Sequence, residues 1–176
     1  MITQIIAEQA LSYRFDQLPA EVVQFSKLAI LDTVGCAVRG MREPCAIILA
    51  DVIAGKAIPA ADLLNLTRHI GSPAEAAQFF GTAAHAIDFD DGMPVGNAGH
   101  IGVGVVSAVL TLASRLDVSG RDMITAVVAG YETAARVSAL MDEAHYARGF
   151  HTTSTTSSFG ATAACCNLMQ DRKSVV

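Results

Sequence analysis

The sequence predicts an all-α protein, a helical bundle. Two observations carry this: apolar residues recur at spacings of three and four along much of the chain, and Ser-led capping patterns open two of its apolar runs. The one stretch that would also suit a buried strand, Ile101 to Leu116, is long enough that a helix is the better reading.

The elements follow in order. Ile2, Ile5, Ile6, Ala10 and Leu11 mark an amphipathic helix from Ile2 to Leu11. Pro19 and Glu21 read as a helix start, because proline loses no hydrogen bond in the first turn and an acid there favours the dipole, so Val22 to Val38 is a largely buried helix. Gly40 suits its end, and Pro44 restarts the chain into Ala46 to Ala54. Gly55 to Ile70 reads as a loop with one short helix.

Ser72, Pro73 and Glu75 stand in capping-box order, which predicts a helix from Pro73 to about Phe89. Asp90 to Gly99, rich in Gly with Pro94, is an acidic loop ending at His100. Ser119 and Asp122 cap a helix over Met123 to Met141, where Ala126, Val127, Gly130, Ala134 and Val137 form a small-residue face and Gly130 marks a tight contact. Asp142 to Ser158 is polar and reads as a second loop, and Phe159 to Met169 closes as a helix. The whole is one unit without internal repeats.

Composition excludes several classes of function. The chain has 176 residues, 52% hydrophobic and only 16% charged, so its apolar surface should be covered by a second copy or a further half of the protein. A net charge of -5 without a basic run argues against nucleic acid as a partner. No apolar stretch reaches a membrane span and no signal peptide opens the chain, so a cytoplasmic protein without a membrane partner is expected. Cys36, Cys45, Cys165 and Cys166 lack zinc-site spacing and read as buried thiols, and Met41, Met123, Met141 and Met169 as core filler. Cys165 and Cys166 have no nearby base, which leaves a nucleophilic role unsupported.

Two constellations carry chemistry. In the first, His85, Asp88, Asp90, Asp91 and His100 bring imidazoles and carboxylates to a helix end and a Gly-rich loop. A carboxylate beside an imidazole orients the ring and favours its charged form, while adjacent carboxylates oppose full ionisation, so such a set suits acid-base work. Taken one at a time, the same residues read as solvated loop acids and a packed helix histidine. His85, Asp88, Asp91 and His100 have possible metal-ligand spacing, but the adjacent His-Asp pair of helical phosphohydrolases is missing, and neither metal nor cofactor is expected.

The second constellation is Arg148, Gly149, Phe150 and His151 followed by Thr152, Thr153 and Ser154, which can bind a carboxylate and exchange a proton with it or be a solvated loop. Tyr131 can hydrogen-bond Glu132 or a loop, although a half-buried packing role suits it better.

Taken together, Leu31-Asp-Thr-Val-Gly35, Gly81-Thr-Ala-Ala-His-Ala-Ile-Asp-Phe-Asp-Asp91, His100, Ser119-Gly-Arg-Asp122, Ala129-Gly-Tyr-Glu132 and Arg148-Gly-Phe-His151 resemble the MmgE/PrpD family up to about Met169. The family includes 2-methylcitrate dehydratase, cis-aconitate decarboxylase and related epimerases. The resemblance implies a homodimer built from a large helical domain and a smaller α+β domain, with the site between them. It implies a lyase without metal or iron-sulfur cluster that abstracts a proton α to a carboxylate of a small polycarboxylate. It also implies that Asp90 or Asp91, His100 and His151 are the catalytic acid and histidines, with His85 and Arg148 contacting substrate.

The chain departs from the family pattern at Gly92, where a threonine is usual, and at Gln78-Phe79-Phe80 before Gly81. Its end at Val176 leaves out the later helices, the α+β domain, and the lysine and tyrosine that family members contribute from there. By that reading residues 1–176 are the N-terminal part of the helical domain. The alternative is a catalytically inactive helical interaction module, and a metal hydrolase is the weakest option.

Overall fold

The computed structural model describes residues 1–55, 72–93, 99–141 and 143–170. Among these the chain is all-α. In order come α1 (Ile2–Ser12), a 3-10 turn (Phe15–Gln17), α2 (Ala20–Gly40), α3 (Pro44–Ala54), α4 (Pro73–His85), α5 (Gly102–Ala113), α6 (Gly120–Ala139), the one-turn α7 (Glu143–Ala147) and α8 (Thr152–Met169). The loop and short helix expected over Gly55 to Ile70 fall, beyond Gly55 itself, outside the described residues, as do Pro94, Gly96 and Asn97.

The sequence signals for helix starts act where expected. Ser119 forms a complete capping box: its hydroxyl accepts from the Asp122 N–H at 3.3 Å, and Asp122 Oδ2 accepts from the Ser119 N–H at 2.8 Å. Ser72 makes only half of one, accepting from the Glu75 N–H at 3.4 Å. Pro19 sits just ahead of the first turn of α2 as its N-cap. Within Ile101 to Leu116, which also suited a strand, Gly102–Ala113 forms α5.

Two boundaries differ from expectation. Helix α4 stops at His85 instead of near Phe89, because the chain turns through Asp88, whose φ of 51° lies in the left-handed region that aspartate tolerates. Phe89 is thereby left 78% exposed. The polar stretch read as loop from Asp142 to Ser158 holds the one-turn α7 and is helical again from Thr152 onward. Its hydroxyls bond back into their own helix, Thr156 to the Thr152 carbonyl at 2.9 Å and Thr162 to that of Ser158 at 2.8 Å.

The core has two lobes that share α5. One gathers Ala37, Met41, Ala46, Ala76, Phe79 and Val103 from α2 to α5, with Phe79 fully buried. The other packs Ile101, Val105, Val109, Val127, Ala134 and Leu168 from the start of α5, α6 and α8. Helices α6 and α8 meet backbone to backbone at Gly130 and Gly160, where a Cβ on Gly130 would stand 2.6 Å from Val105 Cγ1 and 2.9 Å from the Gly160 carbonyl. The tight contact expected at Gly130 is thus present. Asn167 crosses the same layer, donating to the Ala10 carbonyl at 2.9 Å and fastening α1 to α8.

Not every expected burial holds. Cys36 and Cys166 are buried and Cys165 is partly so, but Cys45 is exposed on α3, and Met169 is 44% exposed at the end of α8. Phe25, Leu28 and Leu31 stand 71%, 59% and 66% exposed along one side of α2, an apolar row that nothing in the described chain covers. None of the helices is long and apolar enough to cross a membrane among the described residues.

Candidate active site

The turn after α4 and the start of α8 bring together residues far apart in sequence. Unwinding at Ala86 lets the chain fold back, so that the Asp90 carboxylate lies 3.0 Å (Oδ1) and 3.1 Å (Oδ2) from His85 Nδ1, and Oδ2 lies 3.1 Å from His100 Nδ1. The Asp90 side chain has no solvent exposure, whereas those of His85 and His100 are 35% and 28% exposed. One buried carboxylate therefore holds two imidazoles whose edges remain open to solvent.

The acceptors around each Nδ1 call for a hydrogen there. His100 Nδ1 faces both the Asp90 carboxylate and, at 3.3 Å, the Asp90 carbonyl, which can only accept, so Nδ1 carries the hydrogen and Nε2 is left as the basic nitrogen of the neutral ring. The same logic places the hydrogen of His85 on Nδ1. His100 Nε2 in turn stands 3.5 Å from Oδ1 of the exposed Asp88. The rings of His85 and His100 are 4.9 Å apart, and His151 joins them edge-on, 6.4 Å from His85.

What brings His151 here is the segment read from sequence as a loop. His151 is the N-cap of α8, and two hydroxyls of that helix grip the His100 backbone: Thr153 Oγ1 accepts the His100 N–H at 3.1 Å, and Ser157 donates to the His100 carbonyl at 3.3 Å. Gly99, at φ 66°, lies so close to Thr153 that a side chain would strike the Thr153 hydroxyl. Neither Thr153 nor Ser157 stood out as a clamp in the sequence. Their spacing of four, one helical turn, is the signal that would have revealed them.

The adjacent aspartates divide. Asp91 turns away from the histidines: Oδ1 accepts the Gly102 N–H at 2.9 Å and Oδ2 accepts the Tyr131 hydroxyl at 2.9 Å. It thus caps α5 from a distant loop, a task for which α5 has no side chain of its own. Burial pushes the Asp91 carboxyl above its usual range and the charges of Asp90 and Asp32 add to this, while the bonds from Tyr131 and Gly102 pull it down. The Tyr131 phenol is pushed far above its usual range by burial and by Asp91, so it stays a neutral donor. Tyr131, read as mainly a packing residue, therefore joins α6 to the acidic loop.

Of the remaining candidates, Arg148 is exposed on the turn after α7, and among the described residues no hydrogen bond or ion pair ties its side chain to the cluster. His145 stacks on Phe150 at 5.1 Å and meets Thr155 Oγ1 at 3.1 Å. Cys165 is a poor nucleophile, since burial, reinforced by Cys166, pushes its thiol up to about 11. One donor atom from each of His85, Asp88, Asp90 and His100 falls within 4.8 Å of the others, so the set with metal-ligand geometry holds Asp90 where spacing alone suggested Asp91.

A cleft of about 650 Å³ runs between α2, residues 89–93 and α6, lined by Phe25, Asp32, Phe89, Asp90, Asp91 and Tyr131 among others. The three histidines do not line it, and Asp90 is the residue common to cleft and cluster.

A family model described as MmgE/PrpD N-terminal domain matches residues 4–175 of the chain. Comparison with curated proteins gives no match.

Proposed function

Because the chain belongs to the MmgE/PrpD family through its N-terminal domain, we propose that it supplies the histidine side of a lyase site that eliminates water from a polycarboxylate of the 2-methylcitrate type. The observation that carries this reading is the buried Asp90 carboxylate bridging His85 and His100, with His151 at the edge of the same group. Asp90 orients the rings and stabilises whichever one is charged. His100, neutral, takes the proton α to a carboxylate through Nε2. His151, charged, gives its proton to the departing hydroxyl, so that water leaves and a carbon-carbon double bond remains.

Asp91 acts as a positioning residue, tying the loop that carries Asp90 to α5 and α6. His85 and Arg148 offset substrate charge. Decarboxylation and epimerisation would use the same proton transfers and differ in the bond broken. The site's outer wall comes from a second copy of the chain or from the family's α+β domain.

The test incubates the chain with 2-methylcitrate in heavy water, with and without a separately expressed α+β domain of the family, and follows dehydration and deuterium uptake by NMR. His100→Gln and His151→Ala should each slow the reaction by about 100-fold or more, the usual worth of a positioned acid or base. An unchanged rate in either variant removes that residue from the mechanism. A second reading, a helical interaction module without turnover, is supported by the apolar row Phe25, Leu28 and Leu31 on α2. A compact oligomer that exchanges no substrate deuterium would favour it.

A further inference from the structure

We propose that the His85, Asp90 and His100 cluster binds a zinc-class divalent cation, and that this cation switches the site off by taking the nitrogen atoms that hold the rings in their basic tautomer. The switching rests on the lyase reading above, whereas the binding does not.

The donors are nearly in place. Neighbouring ligands around tetrahedral zinc, at bonds of about 2.0–2.1 Å, stand roughly 3.3 Å apart. His85 Nδ1 lies 3.0 Å from Asp90 Oδ1, and His100 Nδ1 lies 3.1 Å from Asp90 Oδ2, so a small outward shift of the rings admits the ion. Asp88, 81% exposed, lies 3.5 Å from His100 Nε2 and so accepts the hydrogen that this nitrogen carries once Nδ1 holds the ion, while solvent completes the coordination. The Asp90 carboxylate, with the Asp88 charge close by, offsets the ion's charge, and a pair of imidazole nitrogens favours zinc-class ions over magnesium or calcium, which prefer oxygen.

The consequence for proton chemistry follows from the tautomers. A coordinating nitrogen cannot keep its hydrogen. When Nδ1 of each neutral ring binds the ion, its hydrogen transfers through solvent to Nε2. The nitrogen that would accept the substrate proton is then already protonated, and His100 can no longer act as base.

The experiment titrates the full chain with Zn2+ alone by calorimetry, and with Co2+ to read the ligand-field spectrum of the bound ion. One equivalent should bind with micromolar or tighter affinity, and millimolar Mg2+ should not displace it. His100→Gln should weaken binding by about 100-fold and Asp88→Asn by about 10-fold, while Cys45→Ser, far from the cluster in sequence and exposed, should change nothing. Asp88 is exposed enough for its variant to fold, so the test survives a His100 variant that does not. Absence of saturable binding overturns the inference, as does binding that neither the His100 nor the Asp88 variant weakens. Binding with these variant effects but without loss of turnover retains the metal site and removes His100 from the proton chemistry, so the two readings fail separately.

Discussion

Replacing Gly102 by alanine tests the junction that holds the acidic loop. A Cβ there would collide with Asp91 Oδ1 and stand 2.6 Å from the Tyr131 hydroxyl and 2.9 Å from Thr33 Oγ1. All three neighbours are polar, and two belong to one hydrogen-bonded unit, in which Asp91 accepts from both Tyr131 and the Gly102 N–H at 2.9 Å. Overpacking costs about 1–3 kcal/mol, and loosening one bond to a buried carboxylate costs about 1.5–3 kcal/mol.

A total of roughly 3–5 kcal/mol is expected, which for a chain of this length lowers the melting temperature by about 6–20 °C. Gly35→Ala provides the control. Gly35 lies inside α2 with nothing within 4 Å of its would-be Cβ, so alanine there should stabilise by about 0.5–1 kcal/mol through helix propensity. Urea unfolding of the two variants, followed by circular dichroism, measures both effects. Equal stability of Gly102→Ala and the parent protein, to within about 0.5 kcal/mol, would refute the junction.

Two further outcomes follow from the same geometry. Tyr131→Phe removes one of the two donors to Asp91 and should cost about 1.5–3 kcal/mol in urea unfolding; it should also speed hydrogen exchange at the Gly102 amide, and unchanged exchange would count against Asp91 as the cap of α5. The bonds from the Ser119 hydroxyl and N–H hold the Asp122 carboxyl below its usual range, so its contribution to stability is present above the ordinary aspartate range and is lost as pH falls through the lowered value. Asp122→Asn should therefore flatten the decline of stability below about pH 5, and a decline as steep as the parent's would show that Asp122 has no part in it.

Much of the fold is legible in single residues. Ser119 with Asp122 announces α6, Pro44 announces α3, and Gly130 announces the close approach to α8, because caps, proline and glycine act through local backbone geometry. The start of α8 is not legible in this way. Thr152, Thr153, Thr156 and Ser157 have the composition of a loop, yet they are buried in a helix whose hydroxyls are satisfied by its own carbonyls and by His100. The exposed row on α2 overturns the expectation of a largely buried helix over Val22 to Val38: its apolar residues do not all face this chain's core, and composition showed only a general shortage of charge, not which face is bare.

The sequence by itself determined that the chain is helical and that the MmgE/PrpD pattern runs along it, and it singled out His85, Asp90, Asp91, His100 and His151 as candidates for chemistry. It left the two aspartates equivalent, because adjacent residues of the same type differ only in what surrounds them. Tertiary structure separated them: the left-handed turn at Asp88 directs Asp90 between two imidazoles and Asp91 onto Tyr131 and the start of α5. A side chain's role in this site depends on which distant donor it reaches, and packing alone decides that.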